Sequence, residues 1–153
     1  MRIHIVAIGR ARSGPEAALF KHYADRVTQW PITLVEQDLR RRTAPDRIAD
    51  AEAALLQQSV PAGALVIALD ERGRQHTSRE FAQLLSGQQD EGRRDIAFLI
   101  GGADGLAEPV REGAARVLSL GQATWPHLLV RGLLAEQIYR AQQILSGHPY
   151  HRD

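Results

Sequence analysis

Four short apolar runs rich in β-branched residues punctuate the chain, at residues 3–8, 32–36, 64–69 and 96–100. Each has the length of an ordinary strand. The first alternates around His4, whereas the last two are nearly continuous in apolar residues, the pattern of strands covered on both faces. Helical spacing fills the gaps. Ser13-Gly-Pro-Glu16 has capping-box spacing and precedes Leu19, Tyr23 and Val27 on one stripe. Thr43-Ala-Pro-Asp46 opens a second predicted helix with Ile48, Ala51 and Leu55, and Thr77-Ser-Arg-Glu80 a third with Phe81, Leu84 and Leu85. A short fourth helix follows Gly105. A longer fifth covers residues 127–145, with Val130, Leu134, Ile138, Ala141 and Leu145 along one face.

This alternation predicts an α/β fold: a mostly parallel sheet with helices on both faces and right-handed crossovers. At 153 residues, without internal repeats or linkers, the chain reads as a single domain spanning 1–153. A domain of this size buries roughly 68–70% of its unfolded surface and needs no covalent staple. The absence of Cys excludes disulfides, thiolate zinc sites and Cys nucleophiles. The six His lack metal-ligand spacing, so no metal is expected. The N-terminus lacks the apolar core of a signal peptide and no apolar run reaches membrane-spanning length, so a cytoplasmic location is expected.

A formal net charge of +1 does not announce a nucleic-acid binder. Lys21 is the sole lysine among the 19 basic residues, and the rest are Arg, which suits bidentate phosphate contacts. Biased composition accounts for the same excess. The run Arg40-Arg-Arg42 reads as a solvated loop, with RNA-backbone contact as the lesser alternative.

Ligands in open α/β sheets lie beyond the carboxyl ends of strands, and three segments fall there. Leu69-Asp-Glu-Arg-Gly73 reads first as a turn, Asp and Gly serving the backbone, and second as a ribose or catalytic carboxylate site through Asp70. Ile100-Gly-Gly-Ala-Asp-Gly105 is either a tight strand-to-helix turn or a backbone cradle. Its spacing matches neither a dinucleotide fingerprint nor a P-loop. Leu118-Ser-Leu-Gly-Gln-Ala-Thr-Trp-Pro-His127 mixes apolar side chains with unpaired backbone, which suits an adenine ring or ordinary loop packing. Trp125 reads as a core residue.

Arg131, Glu136, Tyr139 and Arg140 on the last helix are expected at the surface. The tail His148-Pro-Tyr-His-Arg152 is richer than a fraying terminus requires. Tyr150 and His151 could stack on an unpaired base, His151 could move a proton near neutral pH, and Arg152 could hold phosphate.

Taken together, these segments resemble one family, the ribosomal large-subunit pseudouridine N3-methyltransferase H family of the SPOUT class. The resemblance rests on Ile5-Val-Ala-Ile-Gly9, Ala68-Leu-Asp70 with Gly73, Phe98-Leu-Ile-Gly-Gly-Ala-Asp-Gly-Leu106 and Ser119-Leu-Gly-Gln-Ala-Thr-Trp-Pro-His127. It continues through Val130-Arg131 and Glu136-Gln-Ile-Tyr-Arg-Ala141 to the tail, spanning the whole chain in order. The resemblance implies a SPOUT-type trefoil knot, a homodimer and S-adenosylmethionine as cofactor. It implies N3-methylation of a pseudouridine in 23S ribosomal RNA of the large subunit. The cofactor residues carried over are Leu69, Gly101, Leu120, Gly121, Gln122, Ala123, Thr124 and Trp125. The substrate-binding or catalytic residues are Arg131, Tyr150, His151 and Arg152, one subunit's tail serving the other's cofactor. The low charge adds the expectation that the substrate is the assembled ribosome. Without the resemblance, an NAD- or flavin-dependent α/β enzyme and a non-enzymatic ribosome-docking dimer remain the rival readings.

Overall fold

The computed structural model describes residues 1–39 and 43–152, so the Arg40–Arg42 run lies outside the described residues. Five parallel strands form one sheet in the order β2-β1-β4-β3-β5. They are β1 (Arg2–Ile8), β2 (Ile32–Gln37), β3 (Leu65–Gln75), β4 (Asp95–Ile100) and β5 (Arg116–Ser119). The helices between and after them are α1 (Pro15–Ala24), α2 (Ile48–Gln58), α3 (Ser78–Asp90), α4 (Glu108–Gly113) and α5 (His127–Leu145).

The two-residue period of each strand divides the core. Ile3, Ile5 and Ala7 of β1, with Ile96, Phe98 and Ile100 of β4, pack against α1, α3 and α5. Val6, Ile8, Ala68 and Leu99 point the other way, onto Leu56 of α2 and Val110 of α4. Every residue of β4 is buried, as expected for a strand covered on both faces. Trp30 is fully buried, and its indole N–H donates to Gln89 Oε1 at 2.6 Å.

The local signals met different fates. Thr77 forms the predicted capping box, its hydroxyl accepting the Glu80 N–H while Glu80 accepts the Thr77 N–H. The box expected at Ser13 does not form, because α1 starts at Pro15 with Gly14 as the capping residue. Before α2, residues Pro45–Arg47 make a single 3₁₀ turn without a side-chain cap. Strand β5 was not anticipated: in Arg-Val-Leu-Ser only two residues are apolar, too few for a periodic signal.

The turn expected at Asp70–Gly73 is a bulge within a strand. Leu69 and Arg74 both pair with Leu118, and the four residues between them swing out of register. The Arg72 N–H donates to Asp70 Oδ1 at 3.0 Å, which is the backbone service foreseen for that carboxylate.

Candidate functional site

The β3 bulge and the carboxyl ends of β4 and β5 surround a cleft of about 370 Å³, within the range of small-molecule sites. Leu69, Gly101, Leu120, Gly121, Ala123, Thr124 and Trp125 all line it. Gln122, the remaining residue of the expected cofactor set, is exposed and does not.

Two glycines shape the walls. A Cβ on Gly101 would stand 2.4 Å from the Gly105 carbonyl carbon and oxygen, so only glycine allows the loop 101–106 to fold back on itself. Gly121 adopts φ +114°, where side chains are strained. Ser119 locks that turn: its hydroxyl donates to the Gly121 carbonyl at 2.8 Å and accepts the Gly121 N–H at 3.1 Å.

The lining is acidic. Asp70, Glu71 and Asp104 face it against one arginine, Arg72, although Arg111 lies 3.7 Å from Asp70 on the protein side. Behind Gly102, burial pushes the Glu52 carboxyl up, and Asp104 adds to the shift, while the Gly102 N–H opposes it.

Trp125 is 43% exposed and stands at the lip of the cleft, correcting its assignment to the core. A side chain so placed offers a flat apolar face to a ligand. The loop 119–125 separates this cleft from a second one, of about 350 Å³, between α3 and α5. Leu69, Leu120, Gly121 and Trp125 border both.

Arg131 overturns the expectation of a surface position: its side chain is 1% exposed. Its guanidinium donates to Glu36 Oε1 at 2.5 Å, to the Ile8 carbonyl at 2.5 Å and to the Gly9 carbonyl at 2.8 Å. Nε finds no partner among the described residues. Burial lowers the Arg131 pKa, and Glu36 pulls it back up. The side chain thus ties α5 to the carboxyl ends of β1 and β2. A group so engaged positions the helix, and its buried Nε–H is the donor left without a partner among the described residues.

One turn earlier, His127 lines the first cleft and lies against Gly9 and Arg131. Burial, and secondarily the Arg131 charge, lower its pKa, so the imidazole is neutral at pH 7. Sequence reading passed over it. Its place in the first turn of a helix just beyond the strand ends is the signal that could have found it.

The tail folds back on its own chain. Arg140 grips Glu136 Oε1 through Nε at 2.9 Å and Nη2 at 2.5 Å. The Tyr150 hydroxyl donates to the same oxygen at 3.1 Å. Burial and hydrogen bonds with Tyr23 and Glu136 raise the Tyr150 pKa, so this phenol keeps its proton and acts as a donor, not a base. Arg26 lies 4.2 Å from the centre of the Tyr139 ring, which meets Tyr150 edge-on. Arg140 Nη1 lies 3.3 Å from His151 Nδ1, and Arg152 is exposed. Tyr150 and His151 are therefore brought together through Glu136 and Arg140, while Arg131 belongs to a separate cluster.

Fold and cleft define a parallel α/β domain with a cleft of small-molecule size at the strand ends. Its likeness to solved structures points the same way. A probable methyltransferase from Bordetella pertussis superposes with a TM-score of 0.61 at 18% identity, over 92% of this chain and 95% of that one. A probable methylase family protein from Haemophilus influenzae gives 0.59 at 16%, over 99% and 70%. At such identities these likenesses concern the fold. The profile described as "Predicted SPOUT methyltransferase" matches residues 1–151. Proteins called ribosomal RNA large subunit methyltransferase H are 55% identical in Rhodospirillum centenum and 51% in Paramagnetospirillum magneticum, each over 99% of both chains. The chain belongs to the SPOUT methyltransferases and, within them, to the family of large-subunit methyltransferase H.

Proposed function

We propose that this chain methylates N3 of a pseudouridine in 23S ribosomal RNA, using S-adenosylmethionine. The observation that carries the reading is the convergence of the expected cofactor residues, Gln122 excepted, on one cleft. The chemistry of the lining fits that cofactor. Asp70, Glu71 and Asp104 suit its cationic and hydroxyl groups. Apolar Leu106, Leu120 and Ala123 suit an adenine ring. A dinucleotide pyrophosphate would meet carboxylates instead of a cluster of donors.

When bound, the cofactor supplies an electrophilic methyl group on a sulfonium. The protein's task is to hold the acceptor nitrogen in line, about 3–3.5 Å from that carbon, and to favour loss of the imide proton. Glu136 is occupied by Arg140 and Tyr150, which leaves His151 and Arg152 as the tail groups facing the substrate. Arg140 Nη1 lies 3.3 Å from His151 Nδ1 and orients the ring; in this reading the tail supplies polar groups to the imide oxygens as negative charge develops there. Arg131 acts indirectly, by fixing the start of α5.

The trefoil knot and the homodimer implied by family membership belong to the same proposal, as does action on the assembled ribosome. A net charge of +1 gives little counterion-release affinity for naked RNA. The test is radiolabelled methyl transfer to purified ribosomes lacking the modification. Label recovered in N3-methylpseudouridine is the expected result. A folded, cofactor-binding protein that transfers no label to ribosomes would refute the substrate assignment.

A further inference from the structure

The second cleft, on the α3–α5 side of loop 119–125, shares Leu69, Leu120, Gly121 and Trp125 with the first and is otherwise lined by different residues. Its walls are apolar, built by Phe81, Leu118, Leu133 and Leu134. Its polar groups are Gln75, His76, Ser78, Ser119 and Gln137, with one carboxylate. The one carboxylate, Glu136, is offset by its two-point grip from Arg140. No Lys or Arg lines the cleft among the described residues, so it does not suit phosphate. Apolar walls with amide and hydroxyl groups suit a flat, neutral heterocycle.

The polar groups are also oriented. The Ser78 hydroxyl donates to Gln137 Oε1 at 2.9 Å, and Gln137 Nε2 donates to Glu136 Oε2 at 2.7 Å. That fixes the amide and leaves Gln137 its second N–H. Glu136 in turn receives the Tyr150 hydroxyl, so the tail connects to this cleft and not to the first. Trp125 and Leu120 stand in the wall shared by the two clefts. A ring seated here would be one side chain away from the cofactor.

We propose that the second cleft receives the acceptor base of the RNA, a uracil-type ring, with Gln137 donating to a carbonyl of its imide edge. This rests on the methyltransferase reading above. Its test pairs Gln137→Leu with His76→Ala in the full-length protein. Cofactor affinity is measured by calorimetry, subunit association by sedimentation, and methyl transfer on large subunits by steady-state kinetics. The expected result is a fall of tenfold or more in kcat/KM for the RNA, with cofactor Kd within twofold and unchanged subunit association. Unchanged kcat/KM in both variants would overturn the assignment. So would a fivefold weaker cofactor Kd, which would make the cleft part of the cofactor site, or weakened self-association, which would give it to a second copy of the chain. If the unaltered protein binds no S-adenosylmethionine, the methyltransferase reading fails, and this inference with it.

Discussion

Replacing Arg131 with Met keeps the bulk of the side chain and removes every donor. Three acceptors lose their partner: the Glu36 carboxylate and the carbonyls of Ile8 and Gly9. A buried acceptor left unsatisfied costs roughly 1–3 kcal/mol, and breaking a buried ion pair roughly 3–5 kcal/mol. The Glu36 side chain is 25% exposed, and it also accepts the Ala11 N–H at 3.0 Å. Water can therefore reach part of this cluster, which places the expected loss at the lower end, about 2–4 kcal/mol. For a chain of this length that is a drop in Tm of roughly 5–15 °C. Urea unfolding followed by circular dichroism measures the loss directly. A double-mutant cycle with Glu36→Gln should give a coupling of about 0.5–3 kcal/mol. Arg131→Lys keeps the charge but loses the fork that spans Glu36 and the two carbonyls, and should recover less than half of the stability. An Arg131→Met protein within about 0.5 kcal/mol of the parent, the usual range for surface changes, would refute the latch and return Arg131 to the substrate-contacting group.

Gly101→Ala places a Cβ against the Gly105 backbone. It should destabilise by roughly 1–3 kcal/mol and abolish cofactor binding by calorimetry, whereas Gly113→Ala, where a Cβ meets nothing within 4 Å, should leave binding intact. Asp95 is held to a pKa of about 2 by hydrogen bonds from Arg2 and His4, against an ordinary value of 3.8. The folded value lies below the unfolded one, so this cluster's stabilisation is complete above about pH 4 and lost as pH falls through about 2. Asp95→Asn should lower urea midpoints at pH 5–7 and converge with the parent below pH 2; parallel curves would count against it. Tyr150→Phe removes the bond to Glu136, costs about 1 kcal/mol, and should slow methyl transfer while leaving cofactor Kd unchanged.

The pattern of apolar residues was sufficient for the α/β class, for four of the strands and for the helix at 127–145, because burial on two faces or along one stripe leaves a periodic trace. Thr77 was legible for a similar reason: a capping box is closed within four residues. The loops that line the first cleft were legible because they follow apolar strand runs, and the family resemblance supplied the residues to name in them. Other features have no local signature. Strand β5 is too short and too polar to announce itself, and is fixed by pairing with β3 on both sides of its bulge. Arg131 has the composition of a surface residue. Its burial follows from Glu36 and two strand-end carbonyls that lie 95 to 123 positions away in the chain. Tyr150 and Glu136, Ser78 and Gln137, and the wall shared by two clefts are likewise products of packing α5 between α1 and α3. Local sequence determines which segments become strands and helices, since their hydrogen bonds and faces close over a few residues. Which polar groups then meet depends on where the sheet order and the helix layers bring distant segments together, and only the tertiary structure decides that.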